Sequence, residues 1–256
     1  MNRQTLVVVS AVAVAVIATV VVLMLSAGGR PSAPGPAWPD SANPSEAAGP
    51  VTLRLGFVAD IPQAPALISL QDDLFTNDLR GTGITLRSVL FHSDSAEATA
   101  LASGQLDAAY VTAGSILTDL ASSPSTKIAV ISGASAGGSP VNLVVTRAFL
   151  SAHSAGVLAL VKGQVQANDL INHDLLESAA AYTAEFTALT GQSLTASAAA
   201  TSLGRTRFTD DPSAASLAAM VPSGLSSVVR PALPTLYDVG PLDLQLRMVG
   251  ERPVEV

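Results

Sequence analysis

Between Val51 and Gly133 the chain alternates between two hydrophobic periods, and that alternation constrains its fold more than any other feature. VTLRLGFV (51–58), ITLRSVLF (84–91), DAAYV (107–111) and KIAVISG (127–133) read as strands. PALISLQDDLF (65–75), SAEATALASG (95–104) and GSILTDLA (114–121) carry helical spacing between them. Pro65 suits a first helical turn, Asp94 or Ser93 an N-cap, and Gly104 the residue after a helix end. Strands separated by helices predict a parallel sheet with right-handed crossovers. In such sheets ligands sit beyond the carboxyl ends of the strands. Those ends are Ala59–Pro65, Phe91–Ser95, Thr112–Ser115 and Gly133–Ser139, all small, polar and almost free of basic residues. Their amides and hydroxyls, from Gln63, Ser93, Ser95, Thr112, Ser115, Ser135 and Ser139, suit a small oxyanion held at helix starts. The plainer reading is a set of connecting loops and caps.

Composition narrows the function. Net charge is −7, so a phosphate backbone is repelled and nucleic acid is not an expected partner. There is no cysteine, which excludes disulfides, thiolate catalysis and cysteine–zinc sites. The three histidines, His92, His153 and His173, lack metal-ligand spacing, so no metal or other cofactor is expected. Serines and carboxylates are present without the spacing of a triad or dyad, which argues against an enzyme.

The amino terminus carries an export signal of some kind. Leu6 to Leu25 is an apolar run of 20 residues broken only by Ser10 and Thr19, long enough to span a bilayer. Arg3 precedes it, which keeps the start cytoplasmic and exports the rest. Ala27 and Gly29 offer a weak small-x-small cleavage site, so residues 1–28 read as an anchor or a signal helix. Residues 29–50, rich in Pro, Gly, Ser and Ala, read as a flexible linker.

After residue 147 the pattern becomes helical. HSAGVLALVKGQVQANDLIN (153–172) places Val157, Leu158, Val161, Val165 and Leu170 roughly on one face. Asp174 and Glu177 form a capping box ahead of Leu175, Ala179, Tyr182, Phe186 and Leu189, and Gly191 stops that run. Asp211-Pro212 reads as a further helix start, Pro222 as its end, and GPLDLQLRMVG (240–250) as the last helix.

The segments LRLGFVADIPQAPALISLQDDLF, SGQLDAAYVTAGSILTDL and KIAVISGASAGGSPVNLVV, in this order over residues 51–145, resemble the substrate-binding proteins of ABC importers for nitrate, sulfonates and taurine, above all the aliphatic-sulfonate group. The resemblance implies a periplasmic-binding-protein type II-like α/β lobe, a parallel or mixed sheet with flanking helices. It implies a small anionic organic ligand and an ABC permease in the membrane as partners. Carried over position by position, the ligand-binding candidates are Gln63, Ala64, Pro65, Ser93, Asp94, Ser95, Thr112, Gly114, Ser135 and Gly138. The sequence departs from the family at three places. Gln63 stands where histidine is common, VTAGS replaces a Gly-Pro-Asn-Pro run, and Asp94 sets a negative charge beside an anion. Gly28 follows Leu25-Ser26-Ala27 where many relatives have a lipid-modified cysteine, so thioether lipidation is impossible.

LVVTRAFLSAH, LVKGQVQANDLIN, ALTGQSL, RFTDDPSAASL and LYDVGPLDLQL resemble the carboxyl-terminal part of the same group. Between the two matching halves the relatives insert a second lobe, on the order of a hundred residues. Here Val141–Val145 serves both as the strand that leaves the first lobe and as the one that returns. The expectation is therefore an α/β lobe over 51–146, a helical part over 147–256 packing on it, and a clamshell without its closing half. Such a lobe buries one side of a ligand and forfeits much of the affinity that closure provides. The alternative is a membrane-anchored, non-catalytic remnant or a protein-interaction module that binds no small ligand.

Overall fold

Alternate residues of VTLRLGFV go to opposite faces of one sheet. Leu53, Leu55 and Phe57 are buried on one side, while Arg54 and Gly56 face the other. The computed structural model describes residues 51–123 and 127–256. Within them β1 (Val51–Val58) is followed by α1 (Ala64–Gln71), α2 (Leu74–Asp78), β2 (Ile84–Phe91), α3 (Asp94–Ala102), β3 (Ala108–Thr112) and α4 (Ala113–Ser122). Then come β4 (Ile128–Ala136), β5 (Val141–Thr146), α5 (Arg147–Ala152), α6 (Ser154–His173), α7 (Leu175–Thr190), α8 (Ala196–Leu203) and β6 (Arg207–Phe208). The chain closes with α9 (Ala214–Met220), the short α10 (Ser226–Val229) and α11 (Leu233–Leu236), and α12 (Gly240–Met248).

The six strands form one mixed sheet in the order β2-β1-β3-β5-β4-β6. β1 pairs in parallel with β2 and with β3, as helical crossovers require. β5 is the departure from the parallel expectation. Only the turn 137–140 separates it from β4, so it must run back antiparallel, and it inserts between β3 and β4. β6, too short to read from sequence, adds an antiparallel edge beside Ser135 and Ala136.

Each face of the sheet is covered. Leu53, Leu55, Phe57, Tyr110, Leu143 and Val145 pack with Leu67, Val161 and Tyr182, under α1, α6 and α7. Ala109, Val111, Val130 and Val144 pack with Leu101, Ile116, Leu120 and Leu217, under α3, α4 and α9. Small residues allow two close approaches. A Cβ on Gly163 would lie 2.5 Å from the Phe75 ring, so α6 can cross α2 only because it has none. A Cβ on Gly133 would lie 2.4 Å from the Asp211 carbonyl oxygen, where the segment 209–211 runs along β4.

Two helix boundaries differ from the sequence reading. The helix expected over 65–75 is interrupted: α1 ends at Gln71, Asp73 takes φ 56°, and α2 begins at Leu74. Asp211-Pro212 does not open a helix. The Asp211 carboxylate accepts the Ser213 N–H at 2.7 Å, Ser213 turns at φ 51°, and α9 starts only at Ala214. The anchor or signal helix expected over 1–28 and the linker over 29–50 lie outside the described residues. Among the described residues no helix is long and apolar enough to cross a membrane.

Candidate functional site

The strand directions bring the candidate loops to one edge. β1, β2 and β3 end there, and in the antiparallel register Thr112 faces Val141, which faces Ser135. α1, α3 and α4 all begin at this edge, with their free amides and positive dipole ends. Ser93 is the N-cap of α3, its hydroxyl accepting the Ala96 N–H at 3.3 Å. Thr112 caps α4 in the same way, accepting from Ser115 N at 3.3 Å and donating its hydroxyl to Ser115 Oγ at 3.0 Å.

Five of the ten candidates come together. Ser93, Asp94, Ser95, Thr112 and Gly114 line one open groove of about 640 Å³ between α3 and α4, together with Ser115, Thr118 and Asp119. The other five do not line it. Gln63, Ala64 and Pro65 are buried behind it, Gln63 completely. Ser135 is buried in β4, and Gly138 is exposed in the β4–β5 turn.

Gln63 works as a clip. Its side-chain carbonyl accepts the Val58 N–H at 2.7 Å. Its amide nitrogen donates to Asp94 Oδ1 at 3.2 Å and, more weakly, towards Glu97 Oε2 at 3.4 Å. Its backbone N–H goes to Asp60 Oδ1 at 3.0 Å. The loop after β1 is thereby fixed to the first turn of α3. On the opposite face of the sheet Tyr110 donates its hydroxyl to Gln164 Oε1 at 2.5 Å, and Gln164 Nε2 donates to the Gly133 carbonyl at 3.1 Å. Asp60, Glu97, Tyr110 and Gln164 carry no sequence signature of a site. Glu97 and Gln164 look like solvated helix residues, and only their positions beside the apolar stripes mark them as buried.

The electrostatics of this edge are acidic. Burial pushes the Glu97 carboxyl up to about 8, although hydrogen bonds from Gln63 and Tyr110 oppose the shift. Burial also pushes Asp60 up to about 6, helped by the neighbouring charge of Asp94. Glu97 is therefore largely neutral at pH 7. The groove itself holds two carboxylates, Asp94 and Asp119, and no cation among its described lining residues. Hydroxyls, first-turn amides and carboxylates can hold a small polar solute by hydrogen bonds. An anion here relies on helix dipoles rather than on a basic side chain. No group of histidine, aspartate and glutamate among the described residues is arranged to hold a metal ion.

The mixed sheet with helices on both faces and helix starts at one edge is a periplasmic-binding-protein-like fold. No family model matches its sequence, and no curated protein matches it. Solved structures do match. The alkanesulfonate-binding protein of Xanthomonas axonopodis pv. citri, solved with MOPS, superposes with a TM-score of 0.55 at 12% identity, over 73% of this chain and 99% of that one. The ligand-binding component of an ABC-type import system from Staphylococcus aureus, solved with zinc, gives a TM-score of 0.57 at 11% identity, over 75% of this chain and 97% of that one. A Candida albicans protein described as having the generic periplasmic binding protein fold gives 0.50 at 9% identity, over 80% and 96%.

Proposed function

We propose that this chain is the exported solute-binding component of an ABC importer for a small oxyanion such as an aliphatic sulfonate, taurine or nitrate, reduced to one lobe. The observation that carries the reading is the gathering of the α1, α3 and α4 starts at one sheet edge, with Ser93, Ser95, Thr112 and Gly114 in one groove. The likeness to an alkanesulfonate-binding protein supports it at the level of fold. The ligand sits against the groove with its other side in water, so affinity is modest. Between β4 and β5 the described residues hold only the turn 137–140, with no second lobe inserted there. The amino-terminal apolar run holds the protein at the extracytoplasmic face of the membrane, beside its permease, or is cleaved to release it.

Titration calorimetry of the full-length chain with taurine, an alkanesulfonate, nitrate and bicarbonate tests the reading. Saturable heat from one of them, weakened in Thr112→Val, is expected. No heat from any of them at millimolar concentration removes it.

A further inference from the structure

We infer a second ligand pocket at the opposite, amino-terminal edge of the sheet, suited to a phosphate-class oxyanion. The inference does not depend on the groove between α3 and α4. A cavity of about 600 Å³ lies where β1, β3, β4 and β5 have their other ends, and Arg54, Lys127, Arg147 and His153 line it. Three residues with permanently cationic side chains thus border one cavity in a chain whose net charge is −7. Among the described lining residues Asp107 is the one carboxylate.

The backbone fixes these cations in one row. The Asp107 N–H donates to the Arg54 carbonyl at 2.9 Å, Thr146 N–H to the Asp107 carbonyl at 2.8 Å, and Arg147 N–H to the Lys127 carbonyl at 2.8 Å. Adjacent strands are about 4.8 Å apart, so side chains as long as Arg and Lys can converge across this row. Arg54 is pre-organised. Its Nε and Nη2 donate to the two Asp107 oxygens at 2.8 and 2.7 Å, which leaves the outer edge of the guanidinium for a ligand. Arg147 donates Nη2 to the Thr235 carbonyl, an uncharged partner that leaves its charge uncompensated. Lys127 is exposed, and Asp119 on α4 feels its charge. Among the described residues no carboxylate comes within ion-pair distance of Lys127 or Arg147.

The end of α3 also borders the cavity, and free carbonyls there would repel an anion. They are partly occupied. Gly104 N–H donates to the Leu101 carbonyl at 3.0 Å and Gln105 N–H to the Ala100 carbonyl at 2.9 Å. Phosphate-class oxygens match this donor set, because they accept from planar guanidinium edges and from an ammonium at once. The source is either a free phosphate compound or a phospholipid headgroup.

The test uses the full-length chain in neutral detergent, titrated separately with inorganic pyrophosphate and with short-chain phosphatidylglycerol, and with short-chain phosphatidylcholine as the uncharged-headgroup control. Saturable binding of either anionic probe is expected. Its dissociation constant should rise at least fivefold in Lys127→Gln and return towards wild type in Lys127→Arg, with thermal melting unchanged in both. Pyrophosphate alone binding assigns a soluble source, and the lipid alone binding assigns a headgroup. Three results overturn the pocket: no saturable binding of either anionic probe, equal binding by Lys127→Gln, or binding that is lost in Thr112→Val and kept in Lys127→Gln.

Discussion

Glu97 Oε1 accepts the backbone N–H of Tyr110 at 2.9 Å, so a carboxyl buried in α3 is bound to the centre of the sheet. The same side chain receives Gln63, which makes it the common point of α3, β3 and the loop after β1. A charged carboxylate at that position would strengthen both bonds and lose its hydration. Burial is the larger effect, which is why the proton is retained.

The first prediction follows by linkage. In the unfolded chain Glu97 titrates near 4.5; folded, it titrates at about 8. Between those values the folded state holds a proton that the unfolded state has released, so stability falls as pH rises. Asp60 and Asp210, raised to about 6 and about 7 by burial, act in the same direction over narrower ranges. Chemical denaturation from pH 5 to pH 8 should show the decline. Glu97→Gln keeps an acceptor for Tyr110 and removes the proton uptake, losing only the weak 3.4 Å bond from Gln63, whose amide still donates to Asp94. It should flatten the decline and gain about 1–3 kcal/mol at pH 8.

A second prediction concerns the groove. Asp94 lines it and accepts from Gln63, and nothing basic lines it among the described residues. Asp94→Asn retains the acceptor and removes the charge. Sulfonate or nitrate affinity should rise about three- to tenfold at low ionic strength, and the gain should shrink in high salt. Calorimetry at two salt concentrations checks it. Wild-type affinity should also improve as pH falls through 6, where Asp60 becomes neutral.

Gly133 supplies a third. A Cβ there would lie 2.4 and 2.6 Å from the carbonyl oxygens of Asp211 and Thr209. Backbone atoms cannot yield as a flexible side chain can. Gly133→Ala should therefore push the 209–211 segment off β4 and cost about 1–3 kcal/mol in urea denaturation. Gly138→Ala, in open space in the β4–β5 turn, should cost far less.

A fourth isolates the buried polar chain. Tyr110→Phe removes the hydroxyl that Gln164 Oε1 accepts, leaving a carbonyl oxygen without a partner in the core. The expected loss is about 1–3 kcal/mol, measured by thermal or urea unfolding. The double variant Tyr110→Phe with Gln164→Leu should recover part of it, because the orphaned oxygen is then gone and the Gly133 carbonyl, which loses the Gln164 N–H, still accepts the Ser132 hydroxyl at 2.9 Å.

Much of this fold was legible in the sequence because period alone identifies its elements. The strands over 51–58 and 84–91, the Asp174 cap accepting the Glu177 N–H at 3.0 Å, and the Gly191 stop at φ 69° all rest on local chemistry. Strand direction was less legible. KIAVISG and VNLVV have the same composition whichever way they run, and only the shortness of the turn 137–140 makes β5 antiparallel. The buried polar groups were hardest to read. Gln164 and Asn168 lie on the buried face of α6 with Val157, Val161 and Ile171, so their spacing marked them as interior while their chemistry suggested solvent. Of the groove, helix-start rules offered Asp94 or Ser93 as the cap of α3 and the structure has Ser93, while Thr112 was read only as a strand-end hydroxyl and proves to cap α4. Asp119 and Thr118, a turn or more inside α4, had no local signal at all.

The turn from Gly137 to Pro140 has a further meaning for the sheet. It joins two antiparallel neighbours at the rim, Gly137 and Gly138 have open space around them, and Ser135 is registered opposite Val141. An exposed turn of this kind tolerates inserted residues more readily than the strands it joins. Because the β4–β5 pairing closes across that turn, the rim of the sheet is complete with nothing inserted between the two strands.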